Sequence, residues 1–169
     1  FRDHGMHIMD IQHLPVHGGS LRVFAETIGT GMADATFTWD TSDERSLFQR
    51  ETYEKFAWRV ETIKRDFVAR LQGLRADGKR VVCYGASAKG NVMLNYFGIG
   101  GDIEYIVDSI PYKQGLYTPG THILIFPESK LIEDMPDYAI LTAWNFEQEI
   151  LQKQRKYVEN GGQFIKIAG

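Results

Sequence analysis

The chain of 169 residues predicts an α/β fold, a Rossmann-like doubly wound parallel sheet of about five strands preceded by a β-hairpin and a long amphipathic helix. Three observations carry that expectation. Short apolar runs at residues 81–84, 103–107, 122–126, 138–141 and 163–167 alternate with helix-length segments. The first run, Val81-Val82-Cys83-Tyr84, is apolar throughout, as a strand covered on both faces must be. It opens into Gly85-Ala86-Ser87-Ala88-Lys89-Gly90-Asn91, a turn of small residues that starts a helix.

Residues 1–5 read as the end of a helix, with Gly5 as its terminal glycine. Residues 6–14 and 20–26 read as two strands joined by a turn over 15–19. A lone hairpin is marginal in water, so residues 1–28 are expected to close a sheet whose other strands lie upstream. Residues 29–45 are rich in Gly, Thr, Asp and Ser and read as a linker. From residue 46 to 74, Phe48, Tyr53, Phe56, Val60, Ile63, Phe67, Leu71 and Leu74 recur at three- and four-residue steps. This predicts a helix of roughly 40 Å whose apolar stripe is core, ended by Asp77-Gly78. Residues 46–169 then form the Rossmann-like domain, with helices at 90–96, 128–134 and 145–157 between the strands.

Composition narrows the function. The chain is 43% hydrophobic and 24% charged, enough for one well-buried domain with some extra structure. A net charge of −3 with both signs interspersed offers no field for nucleic acid or an anionic membrane, and neither is expected as a partner. The single Cys83 lies inside the first strand of the sheet, so its role is packing and the natural home is a reducing, cytoplasmic compartment. No apolar stretch approaches the roughly 20 residues that cross a bilayer, and no signal peptide is visible. The chain begins at Phe1 with no clear element start, which is the expectation for a piece of a longer protein.

His4, His7, His13 and His17 raise a metal reading, but no Cys or carboxylate stands at ligand spacing, and Pro15 breaks any helix that would align His13 with His17. No metal is expected here. His17 precedes Gly18-Gly19-Ser20, where bare backbone suits either a ligand or a plain hairpin turn.

The turn after the first strand has the spacing G-x-x-x-x-G. Asn91 and Val92 follow where a triphosphate loop needs Lys and then Ser or Thr, and Ser87 replaces the second glycine of a dinucleotide fingerprint. Two readings stay open. The small residues pack helix on sheet, or the backbone at Gly85, Ala86 and Ser87 cradles an anion at a helix N-terminus with Ser87 and Lys89 assisting. Open parallel sheets bind ligands beyond the carboxyl ends of their strands, where the loops at 85–89, 108–121, 126–127 and 142–145 meet. Asp108, 23 residues beyond Gly85, stands where a dinucleotide fold places its ribose-binding acid. The loop after it is long and carries Tyr112, Lys113, Gln114, Tyr117 and His122. Trp144 offers a flat face for a ring, and Asn145, with Gln148 three residues on, reads equally as a helix capping box.

Gly85-Ala86-Ser87-Ala88-Lys89-Gly90-Asn91, Val107-Asp108, Lys113-Gln114-Gly115, Tyr117-Thr118-Pro119-Gly120-Thr121-His122 and Ala143-Trp144-Asn145-Phe146 resemble the C-terminal domain of sugar C-methyltransferases. His17-Gly18-Gly19-Ser20-Leu21-Arg22 resembles the segment that closes the central methyltransferase domain of that family. The resemblance covers nearly the whole chain. It implies an S-adenosylmethionine-dependent enzyme that methylates carbon 3 of a nucleotide-linked 4-keto-deoxysugar, dTDP-type above all. It places the S-adenosylmethionine site, the catalytic base and a zinc-binding N-terminal domain elsewhere in the same polypeptide. No catalytic residue and no cofactor are then expected in this fragment, which would be inactive alone. Its share is the grip on the nucleotide sugar, with Ser87, Lys89 and Lys113 nearest the pyrophosphate by charge and geometry. Two alternatives remain: a free-standing Rossmann-like module for NAD or coenzyme A, and an interaction domain that keeps the sheet without a ligand.

Overall fold

A computed structural model describes residues 1–16, 19–29 and 42–167. His17 and most of the expected linker lie outside the described residues. The chain divides into two compact units, Phe1–Lys55 and Phe56–Gly169.

The first unit holds an antiparallel hairpin of β1 (Met6–Leu14) and β2 (Ser20–Thr27). A bulge at Met9 shifts the register between Ile8 and Asp10. The expected helix end is a single 3-10 turn, Arg2–His4, closed by Gly5 in the left-handed region at φ 65°. Met9, Leu21, Val23 and Phe24 are exposed, so within this unit the hairpin leaves apolar side chains uncovered.

The helix α1 (Arg50–Ala76) begins later than its apolar spacing predicts, because Ser42–Phe48 wind as 3-10 turns instead. Its stripe is core only in the second half. Phe67 and Leu71 are buried, whereas Phe48 is 91% exposed and Tyr53 and Phe56 are largely exposed. The cause is in the fold: the buried cluster that takes up Phe67 and Leu71 is built on the sheet, and the stripe joins it only from there onward.

In the second unit the sheet has five parallel strands: β3 (Val81–Tyr84), β4 (Ile106–Val107), β5 (Ile125–Phe126), β6 (Tyr138–Leu141) and β7 (Gln163–Ile165). Their order is β5-β4-β3-β6-β7, which reverses direction between β3 and β6. Alternate residues along β3 serve opposite faces. Val81 and Cys83 join Phe67 and Leu71 of α1 and Met93 and Leu94 of α2 (Ala88–Phe97). Val82 and Tyr84 join Leu131 of α3 (Ser129–Asp134), Ile150 of α4 (Glu147–Lys153) and Tyr157 of α5 (Arg155–Glu159). Cys83 is fully buried, and that burial pushes its thiol far up.

Three elements depart from their predicted extents. Only Ile106–Val107 form the second ladder, although Glu104 N still donates to Val81 O and Cys83 N to Tyr105 O. The run at 122–126 is strand only at Ile125–Phe126, because His122 sits at φ 53° in a turn and donates its N–H to Thr118 O. The helix predicted over 145–157 divides into α4 and α5 at Gln154, whose buried side chain donates to Tyr84 Oη at 3.2 Å. Asn145 falls inside a 3-10 turn, Trp144–Phe146, and the N-cap of α4 is Phe146. Among the described residues, no helix is long and apolar enough to cross a membrane.

At the amino end of the sheet, Asp137 accepts the Arg80 N–H at 2.9 Å and pairs with Lys79 at 3.0 Å. Those contacts, the backbone bond first, lower its carboxyl below the ordinary 3.8. A depressed folded value gives stability that is present above the unfolded value and lost as pH falls through the folded one. We therefore predict that Asp137→Asn melts lower than wild type near neutrality, and that the gap closes in melts taken below about pH 3.8. A gap that stays constant through that range would refute the linkage.

Candidate functional site

The site is built outward from the carboxyl end of β3. Gly85 stands at φ 100°, and a Cβ there would lie 2.8 Å from Ala143 Cβ, so only glycine lets the chain turn so close to the loop after β6. Ser87 is the N-cap of α2: its Oγ accepts from Gly90 N at 3.0 Å and donates to Thr142 O at 3.1 Å. Thr142 donates in turn to Tyr84 O at 2.8 Å. Gly90 lies on Thr142, where an added Cβ would come within 2.6 Å of the Thr142 Cβ. Both glycines of the spaced motif are therefore required by backbone geometry and packing.

Asp108 joins this turn to the next loop. Only 6% exposed, it accepts Ala86 N at 2.7 Å on Oδ2 and Ile110 N at 2.8 Å on Oδ1. Lys113 Nζ reaches Oδ2 at 3.4 Å and donates to Ala86 O at 2.9 Å, while Gln114 Nε2 donates to Asp108 O at 3.0 Å. Both Asp108 oxygens and the Ser87 hydroxyl are thus engaged within the protein. The N–H groups of Ala88 and Lys89 in the first turn of α2 have no intrahelical acceptor, and the Lys113 ammonium is partly exposed.

Gly85, Ser87 and Lys113 form a wall shared by two cavities. On the α4 side, about 300 Å³ is lined by Tyr84, Asp108, Glu128, Phe146, Glu149 and Lys153 among others. With Lys113, that lining carries three carboxylates against two ammonium groups. Glu128 there pairs with Lys153 and accepts from the Tyr84 hydroxyl, and burial first, then that hydrogen bond, pushes the Tyr84 phenol up. On the α2 side, about 370 Å³ is lined by Ala88, Asn91, Leu94, Leu116, Tyr117 and Pro119 among others, with Lys113 as its one charged group. The second cavity has one ammonium and no carboxylate in its lining, and that ammonium is paired with Asp108.

The structure therefore gathers Gly85, Ala86, Ser87, Asp108, Lys113 and Tyr117. Lys89 and Trp144 lie elsewhere: Lys89 Nζ sits 4.9 Å from the Trp144 ring centroid, in an apolar cleft with Phe56, Val60, Val92, Met93 and Tyr96. His122 holds its turn, and Asn145 is one residue beyond Trp144. His17 is outside the described residues. Sequence reasoning missed Glu128, just before α3, and Lys153, at the end of α4, which are 25 residues apart and meet only through the fold. Among the described residues, no group of three or more His, Cys, Asp or Glu is placed to hold a metal ion.

A family model described as the C-methyltransferase C-terminal domain matches residues 15–167. The chain is also 35% identical over 169 residues, 98% of its length, to C-methyltransferase NovU of Streptomyces niveus. It spans 40% of that relative.

The Gly90 contact gives a direct test of the packing role. Gly90→Ala gains about 1 kcal/mol of helix propensity but drives a methyl group into an anchored, fully buried Thr142. We predict a net loss on the order of 1–2 kcal/mol, read as a lower denaturant midpoint. An unchanged or higher midpoint would show that Thr142 yields.

Proposed function

This chain belongs to the C-methyltransferase C-terminal domain family, and on that premise we propose that it is the nucleotide-sugar-binding part of an S-adenosylmethionine-dependent C-methyltransferase acting on a nucleotide-linked keto-deoxysugar. One observation carries the reading: the cavity of about 370 Å³ is bounded at one end by the α2 N-terminus and by Lys113, its one charged lining residue. The N–H group of Ala88 and the Lys113 ammonium suit a pyrophosphate. Gly85, Ala86 and Ser87 bring the backbone close, Asp108 positions that turn, and Tyr117 offers a ring at the mouth. The opposite cavity, with its excess of carboxylates, suits a diphosphate poorly.

Asp108 also bears on the cofactor. A Rossmann crevice that binds a dinucleotide or S-adenosylmethionine needs a free acid for the ribose hydroxyls, and both Asp108 oxygens accept backbone N–H groups. These residues do not fit such a cofactor. This supports placing the S-adenosylmethionine site in the remainder of the polypeptide, and it weighs against an NAD module. The chemistry the reading implies is proton removal from carbon 3, acidified by the carbon 4 ketone, followed by attack of the enolate on the methyl of a sulfonium donor. This domain's share is to hold the sugar nucleotide still while that occurs.

Titration of the full-length protein with dTDP, a dTDP-4-keto sugar, NAD and coenzyme A tests the assignment. We predict binding of the first two, and a dissociation constant raised about tenfold or more by Lys113→Met with S-adenosylmethionine affinity unchanged. NAD binding with silence toward dTDP would favour the dinucleotide module. Residues 1–169 alone, mixed with S-adenosylmethionine and the keto sugar, should give no methylated product, and turnover there would overturn the division of labour.

A further inference from the structure

The helices α1 and α2, which cover one face of the sheet, leave an open cleft of about 750 Å³ between them. Phe56 and Val60 line it from α1, four residues apart on one helix face, and Val92 and Tyr96 line it from α2 in the same way. Trp144 joins them. Phe56 is 57% exposed and Val92 68%. The two charged groups of the lining are engaged within the chain: Glu61 accepts from the Tyr96 hydroxyl, and the Lys89 ammonium lies over the Trp144 ring. The helices also pack on each other through Phe67 and Phe97, ring centroids 5.9 Å apart, and Met93 of the lining belongs to the core. The walls are thus fixed by the fold. A contiguous apolar surface of this kind marks contact with another body.

Length, position and chemistry say which body. The chain spans 40% of C-methyltransferase NovU and matches the C-methyltransferase C-terminal domain. An enzyme built on that plan carries more polypeptide on the amino-terminal side of this domain. Ala88 lines both the cleft and the cavity beside Lys113, so a body seated in the cleft stands at the α2 N-terminus, next to a sugar nucleotide held there. Methyl transfer requires donor and acceptor in contact, and the Asp108 turn does not fit the donor. The donor must then be brought in by another part of the enzyme. The lining offers a charged ligand no free partner, but it suits the apolar side chains of a folded domain.

Building on the nucleotide-sugar reading above, we propose that the cleft between α1 and α2 is the docking face for the S-adenosylmethionine-binding part of the same polypeptide, outside residues 1–169. Apolar side chains of that part fill the cleft against Phe56, Val92 and Trp144. The seated domain carries the methyl donor to the edge of the nucleotide-sugar cavity. The cleft itself positions and takes no part in proton or methyl transfer.

Val92 is the probe, because its exposed side chain takes little part in the domain's own packing. In the full-length protein a benzophenone amino acid replaces Val92, the sample is irradiated, and the adducts are mapped by mass spectrometry. The inference expects adducts within one molecule, joining position 92 to peptides outside residues 1–169. Adducts between two molecules make a second copy the occupant, adducts confined to residues 1–169 leave the cleft to this chain, and no adducts leave it to solvent; each overturns the inference. Val92→Arg gives a second readout. It sets a long cation beside Lys89, where the one carboxylate of the lining is already engaged, and Arg is the better helix former. Affinities for dTDP and S-adenosylmethionine should stay unchanged while turnover of a dTDP-4-keto sugar falls about tenfold or more. Unchanged turnover overturns the docking. A wild-type protein that binds no dTDP sinks the nucleotide-sugar reading, and the adducts from position 92 still decide the docking.

Discussion

The Asp108 carboxylate is withdrawn from solvent at the carboxyl end of β4, and a buried anion is stable only where donors surround it. Those donors come from both sides of the sheet's first crossover: the Ala86 N–H after β3, the Ile110 N–H of its own loop, and the Lys113 ammonium. The position of almost every other group in the site follows from this arrangement. Lys113 is held against Ala86 O and becomes part of the wall between two cavities, one with three carboxylates in its lining and one with none. Ala86 is bonded to Asp108, and Ser87 beside it caps α2, leaving the next two N–H groups without an intrahelical acceptor.

This explains why the fold was readable and the site less so. The strands at 81–84 and 138–141 are central, covered on both faces, and have the bounds that their apolar runs predict. At 122–126 the residues are apolar enough for a strand, but Thr118-Pro119-Gly120-Thr121 turns the chain and His122 adopts a left-handed conformation, so only the last two pair. Periodicity could not show that Phe48, Tyr53 and Phe56 lie on the exposed part of their helix, because spacing defines a face and says nothing of what covers it. Asp108 stands at the position its spacing implies, yet local sequence carries no sign that backbone donors engage both its oxygens. Lys89 is a charge in the expected turn whose flexible stem carries it to Trp144.

The two glycines of the spaced motif share that character. Their spacing invites a phosphate-loop reading, but each has a steric reason to be glycine in the contact with the loop after β6. Close packing of that loop on α2 is what brings the helix N-terminus to the edge of the sheet. Packing and ligand approach are therefore one requirement here, met by the same small residues.

Cys83 has a consequence of a different kind. It is the chain's one thiol, central in the sheet, flanked by β4 and β6, and kept protonated by its burial. Only a thiolate reacts at speed with alkylating agents. A reagent added to the folded protein must wait for α1 and α2 to lift from that face of the sheet. The rate of labelling then clocks the opening of the core rather than the breathing of its loops, and the native sequence carries its own reporter of that opening.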